Sequence, residues 1–108
     1  MRDARGRMAQ LTFSDRGKVR WILLEGELDQ SDVLDIKGAF DAAVSGALGD
    51  IVIDLGGVTF LSTLGIGLIA STQDRLDDED HVLRLANVPE LIDRTFRTMN
   101  LDEIFERV

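Results

Sequence analysis

The chain has 108 residues, with 12 Lys and Arg against 20 Asp and Glu, one His and no Cys, for a formal net charge of −8. This length suits one domain of the usual roughly 100–150 residues, and a hydrophobic content of 44% is enough to build one core. Without cysteine there is no disulfide scaffold or thiolate nucleophile, a single His cannot supply a catalytic zinc shell, and an acidic surface opposes phosphate-directed binding of nucleic acid.

Residues 1–8 are charged and aperiodic, which predicts a mobile leader, and residues 9–108 follow as a single domain. The opening MRDARGR is basic, but no apolar stretch follows it, so no signal peptide is expected. No apolar run of about 20 residues exists to span a bilayer; a cytoplasmic protein with no direct membrane insertion is expected. Leu11 and Phe13 flank Thr12 in a short alternating run ending at the turn signal Ser14-Asp15-Arg16-Gly17, and Val19 to Leu24 then reads as a second strand at hairpin distance. Val19, Trp21 and Leu23 share one face and Ile22 and Leu24 the other, which predicts a strand buried on both sides.

Ser31 is the expected N-cap of a helix whose first turn carries Asp32 and Asp35 near the positive end of the dipole. Val33, Ile36, Phe40 and Val44 make its apolar face, and the Gly46 to Gly49 region ends it. Ile51 to Leu55, bounded by Asp50 and Gly56-Gly57, reads as a central strand. Val58 to Leu61 leads into a second helix capped by Ser62 or Thr63, with Leu64, Leu68 and Leu76 near one side. The run Asp77-Asp78-Glu79-Asp80 is expected beyond that helix, because carboxylates oppose the dipole at a C-terminus. His81 to Ala86 alternates as a strand, with His81 itself an exposed turn residue. Pro89 then opens a last helix with Leu91, Ile92, Thr95, Phe96 and Met99 facing inward. The tail from Leu101 to Val108 holds Ile104 and Phe105 and has room for a short strand or turn. Strands alternating with helices imply βαβ units and a parallel or mixed sheet, hence an α/β domain.

The start of the second helix is the most informative place for chemistry. Ser62 and Thr63 stand where strand gives way to helix, beside backbone N–H groups that lack intrahelical partners. Two readings stand side by side: one hydroxyl is simply an N-cap, or the pair offers a phosphoryl acceptor, since a helix N-terminus tolerates phosphate. Gly65 and Gly67 lack the further glycines and the Lys-Ser/Thr pair of a phosphate loop, so they point to close approach, either of the sheet behind or of a partner in front. Asp54 stands near a strand end, and Glu25, Glu27 and Asp29 alternate along one strand face. They are the only candidates for paired-carboxylate catalysis, with a solvated edge and local backbone bonding as the competing readings. There is no Gly-x-Ser-x-Gly elbow.

Leu24-Glu25-Gly26-Glu27-Leu28-Asp29, then Asp54-Leu55, then Phe60 with Gly65-Ile66-Gly67, stand in an order and spacing that resemble the STAS domain of bacterial anti-sigma factor antagonists. Leu85-Ala86-Asn87-Val88, and Phe96 through Met99-Asn100-Leu101 to Ile104-Phe105, resemble the family's later segments, so the likeness runs from about residue 9 to 106. It implies a mixed sheet with helices packed on one side, and partner switching rather than catalysis. In that scheme an anti-sigma factor that is also a serine/threonine kinase phosphorylates the hydroxyl at the helix tip, the unphosphorylated form binds the kinase and releases a sigma factor, and a phosphatase resets it. Carried over by position, Thr63 is the acceptor, with Ser62 as the alternative. Asp29, Gln30, Ser31, Ser62, Thr63, Leu64, Gly65 and Gly67 form the partner-binding set, and no metal or cofactor is implied. Ser62 stands where the family has Asp, Leu64 where it has a small residue, and the chain ends at Val108, short of a final helix that family members carry. Two other readings stay open: a STAS subunit docking onto a lipid-transport ATPase or a stress-sensing assembly without phosphorylation, and a small acidic enzyme using Asp54 with Glu25 or Glu27.

Overall fold

The computed structural model describes residues 9–108, so the expected leader lies outside the described residues. The elements run β1 (Gln10–Arg16), β2 (Val19–Leu28), α1 (Gln30–Ser45), β3 (Ile51–Leu61), α2 (Thr63–Asp78), β4 (Leu83–Ala86), α3 (Glu90–Thr98) and β5 (Glu106–Arg107). All five strands form one sheet in chain order. β1 is antiparallel to β2, joined through a turn in which Gly17 adopts φ 63°, and the remaining neighbours are parallel. A chain that steps one way across a sheet through right-handed crossovers leaves every crossover helix on the same face. The expected mixed sheet with helices on one side follows from that rule.

One-sided packing corrects the reading of β2. Ile22, Leu24 and Leu28 are buried under the helices, whereas Val19, Trp21 and Leu23 lie half-buried on the uncovered face. Gly26, near the end of β2, adopts φ 94° where the register against β3 slips, a backbone geometry that a side chain would strain. β3 runs past Leu55 through Gly56-Gly57 to Leu61, and so delivers the chain to α2 without an intervening loop.

α1 buries Val33, Ile36, Phe40 and Val44, the face its spacing predicts. Its N-cap is Asp29 rather than Ser31: Asp29 has an extended backbone (φ −76°, ψ 179°), and its carboxylate accepts the Asp32 N–H at 2.9 Å. Ser31 falls inside the first turn and donates to the same carboxylate at 3.2 Å. α2 buries Gly65, Ile66, Ile69, Thr72 and Leu76, whereas Leu64 is exposed and Leu68 is only partly buried against the edge of the core. The helix also continues through Asp77 and Asp78, within the acidic run rather than ahead of it. The buried Leu76 anchors that last turn, its carbonyl accepts the His81 N–H at 2.8 Å, and Arg75 offsets the acidic charge.

β4 starts at Leu83, and His81 is half-buried just ahead of it, its Nδ1 3.9 Å from Asp50 Oδ1. In α3 only Ile92 and Phe96 are buried, while Leu91 and Met99 face solvent, because a helix of 9 residues presents one narrow stripe to the sheet. The tail closes the sheet edge. Phe105 is buried against Phe96 with ring centroids 5.5 Å apart, and the Val108 N–H donates to the Leu85 carbonyl at 3.0 Å. Arg107 donates to Asp93 Oδ1 at 2.7 Å and, with Arg97, holds the Asp93 carboxyl below the ordinary carboxylate range.

Candidate functional site

The parallel pairing of β2 with β3 places Leu28 opposite Leu61, and the Ser62 N–H donates to the Leu28 carbonyl at 2.9 Å. The starts of α1 and α2 therefore emerge side by side from neighbouring strand ends, although more than thirty residues separate them in sequence. This register brings Asp29, Gln30 and Ser31 to the same end of the domain as Ser62, Thr63 and Leu64.

The two adjacent hydroxyls have different environments. Ser62 is the N-cap: it is half-buried, its Oγ accepts the Gly65 N–H at 3.2 Å, and its carbonyl accepts the Ile66 N–H at 2.9 Å. Thr63 is the first helical residue and is exposed. A capping oxygen is fixed on the backbone it satisfies, whereas Thr63 is presented outward at the positive end of the α2 dipole.

Thr63 lies at the rim of a groove of about 520 Å³ between α1 and α2. Buried Val33 lies at its base, and Leu34, Leu64, Gly67 and Leu68 supply its apolar lining. Leu34 is 63% exposed and Leu64 39%, an unusual outlay of apolar surface for side chains that belong to the same concavity. Leu34, Lys37, Leu68 and Ser71 were not among the expected site residues. The one hint in the sequence is Leu34, an apolar residue that falls off the Val33, Ile36, Phe40, Val44 stripe.

Gly65 and Gly67 do different work. A Cβ on Gly65 would stand 2.6 Å from Leu61 Cδ1 and 3.4 Å from Val33 Cγ2, so Gly65 is where α2 closes on the sheet and on α1. Gly65 is buried, so any part it plays in the expected partner-binding set is to bring α2 close to its neighbours. A Cβ on Gly67 would meet nothing within 4 Å. Gly67→Ala is thus expected to raise stability by about 1 kcal/mol through helix propensity, whereas Gly65→Ala is expected to lower it by about 1 kcal/mol because Leu61 must move. Opposite shifts of the urea midpoint check the pair.

The candidate carboxylates have local structural partners. Asp54 accepts the Gly56 N–H at 2.8 Å and the Asn87 side-chain amide at 3.1 Å, which ties the first half of β3 to the residue just after β4. Glu25 pairs in register with Gly57 and Glu27 with Phe60 on the uncovered sheet face, away from the groove. Among the described residues no group of three or more His, Asp or Glu side chains could hold a metal ion, and no helix is long and apolar enough to cross a membrane.

A family model described as "Mlab, STAS domain" matches residues 11–106. No curated protein matches the chain. Among solved structures, an anti-sigma factor antagonist from Mycobacterium paratuberculosis aligns with a TM-score of 0.80 at 24% identity, over 92% of this chain and 84% of that one. An anti-sigma factor antagonist (STAS) domain protein from Planctomyces limnophilus gives 0.77 at 25% identity, over 94% and 91%. The Bacillus cell fate determinant SpoIIAA in its phosphorylated form gives 0.67 at 24% identity, over 93% and 90%. These structures share the overall fold, and with the family match spanning nearly all the described residues, the chain belongs to the STAS domain family.

Proposed function

We propose that this STAS domain is an anti-sigma factor antagonist that docks on an anti-sigma factor kinase through the α1–α2 groove and is released when Thr63 is phosphorylated. The observation that carries this reading is the division of labour between the two hydroxyls: Ser62 is committed to the helix cap, and Thr63 is exposed on the groove rim. In the transfer, Thr63 Oγ attacks the γ-phosphorus of ATP held by the kinase. The new O–P bond forms as the bond to the bridging β–γ oxygen breaks, ADP leaves, and the hydroxyl proton passes to a base on the kinase. The domain supplies the acceptor and no catalytic group. A phosphate adds a charge of about −1.5 to −2, and burying it in a docked apolar surface is costly unless a cation faces it. Dephosphorylation by a phosphatase restores the neutral rim.

The test is incubation of the purified domain with the kinase and ATP, followed by site mapping. Phosphate is expected on Thr63 and persists in Ser62→Ala, which loses only the cap at about 1 kcal/mol. Thr63→Ala is expected to take up none. Phosphate on Ser62 in the unsubstituted chain would overturn the assignment. A second reading keeps the docking face and makes the partner the ATPase of a lipid-transport complex, with no phosphorylation. It is favoured by Ser62 standing where an antagonist is expected to have Asp, and by the Mlab description of the matching family. Stable binding to such an ATPase, with neither binding to the kinase nor phosphate on Thr63, would select it.

A further inference from the structure

Lys37 is the one charged side chain among the described residues that line the α1–α2 groove, and it shares that lining with Thr63. We propose that Lys37 is the built-in counter-ion for a phosphate on Thr63, so that modification closes the groove from within as well as charging its rim. The inference rests on the phosphorylation reading above and specifies how the same site is regulated.

The present engagement of Lys37 is weak. Its Nζ lies 2.6 Å from Asp41 Oδ2 one turn further along α1, and both side chains are about half exposed (53% and 51%). An exposed i,i+4 pair of this kind contributes little and exchanges readily, while a phosphate dianion offers more charge and three strong acceptor oxygens. The helix geometry permits the exchange. Val33 and Gly65 mark the same level on the two helices, since a Cβ on Gly65 would lie 3.4 Å from Val33 Cγ2. Both helices follow parallel strands of one sheet and so run in the same direction. Lys37 is one turn beyond Val33 and Thr63 two residues before Gly65, an axial separation of roughly 9 Å at 1.5 Å per residue. In the unmodified domain the Lys37 side chain reaches the other way, to Asp41. Side chains on a helix lean readily toward its N-terminus, so a Lys37 released from Asp41 can turn back along the groove toward the Thr63 end, and a phosphoryl group shortens the remaining gap. In that position the lysine methylenes lie across Leu34 and Leu64, withdrawing the apolar surface from a partner.

The experiment installs phosphothreonine at position 63 by genetic encoding, so that no kinase is involved, and follows the phosphate by phosphorus NMR as pH is varied. A nearby cation favours the dianion, so the second phosphate ionisation is expected about half a pH unit lower in the otherwise unsubstituted chain than in Lys37→Gln. Lys37→Arg is expected to keep the lower value, and Asp41→Asn, which releases Lys37 from its competing carboxylate, to lower it further. Superimposable titrations for the unsubstituted chain and Lys37→Gln would overturn the proposal. Position 37 is exposed, so circular dichroism and the urea midpoint should not change between variants. Because the phosphate is installed without a kinase, a failure of Lys37 to respond is distinct from a failure of any kinase to modify Thr63.

Discussion

Phe96→Ala is expected to lower the unfolding free energy by about 3–5 kcal/mol, the range for truncating a fully buried phenylalanine. That is a large fraction of the roughly 5–15 kcal/mol by which a domain is stable. Phe96 is 0% exposed and is one of only two buried side chains through which α3 holds the sheet, Ile92 being the other. It also carries the closing segment: the Phe105 ring packs on it at an interplanar angle of 53°. Removing it therefore opens a cavity beneath α3 and loosens the tail at once. The single tryptophan, Trp21, lies half-buried on β2 and gives a fluorescence signal for urea unfolding from the far side of the sheet. The midpoint should fall with little change in slope, since the surface exposed on unfolding is nearly the same. Coupling with Phe105→Ala in a double-mutant cycle should come to about 0.5–1.5 kcal/mol. Leu91→Ala, one residue before Ile92 and 60% exposed, should cost less than about 0.5 kcal/mol. A loss below about 1 kcal/mol at Phe96 would mean that α3 and the tail are not part of the cooperative core.

The contrast between Phe96 and Leu91 also shows what was legible in the sequence. Long periodic segments were: Val33, Ile36, Phe40 and Val44 announce the core face of α1, and alternating strand and helix signals give the element order and the α/β class. Single-residue decisions were not. Whether Asp29 or Ser31 caps α1 depends on which residue holds an extended backbone, and both are good capping types. The end of α2 was misjudged because dipole repulsion in solvent is a small effect, and the burial of Leu76 outweighs it. In β2, apolar residues on both faces suggested burial on both sides. Only the chain-order topology shows that one face has no helix to cover it, so Trp21 and Leu23 remain half-buried.

The site was legible in halves. The tip at Ser62-Thr63 stands out as two hydroxyls at a strand-to-helix junction, and the Asp29 to Ser31 segment as a helix start. What joins them is a register between parallel strands, with Leu28 beside Leu61, and no local pattern encodes that. The groove exists only once α1 and α2 lie side by side. Its lining residues look like ordinary helix-surface positions until then, which is why Leu34 and Lys37 were missed while Thr63 was found.

Leu34→Asp combined with Leu64→Asp is expected to weaken docking of the proposed partner by at least about 100-fold, the loss of about 2.7 kcal/mol that hot-spot positions commonly supply. Both side chains are solvent-accessible in the isolated domain, at 63% and 39%, so the unfolding free energy should stay within about 0.5 kcal/mol of the unsubstituted value. That separation of binding from stability is what distinguishes a docking surface from a core. Titration calorimetry with the purified kinase, or with the ATPase under the second reading, measures the loss. The same measurement on Leu91→Asp, equally exposed but on α3, should show affinity unchanged. Retained affinity in the Leu34 and Leu64 double variant would move docking off the groove. The double variant also bears on the switch. Two carboxylates placed beside Thr63 imitate the sign of a phosphate without its attachment, so they should weaken docking even where no kinase is present. If loss of apolar contact is the larger share, Leu34→Ala with Leu64→Ala should reproduce most of the effect. If charge is the larger share, added salt should recover much of the affinity of the aspartate pair and little of the alanine pair's, because screening acts on the charges alone.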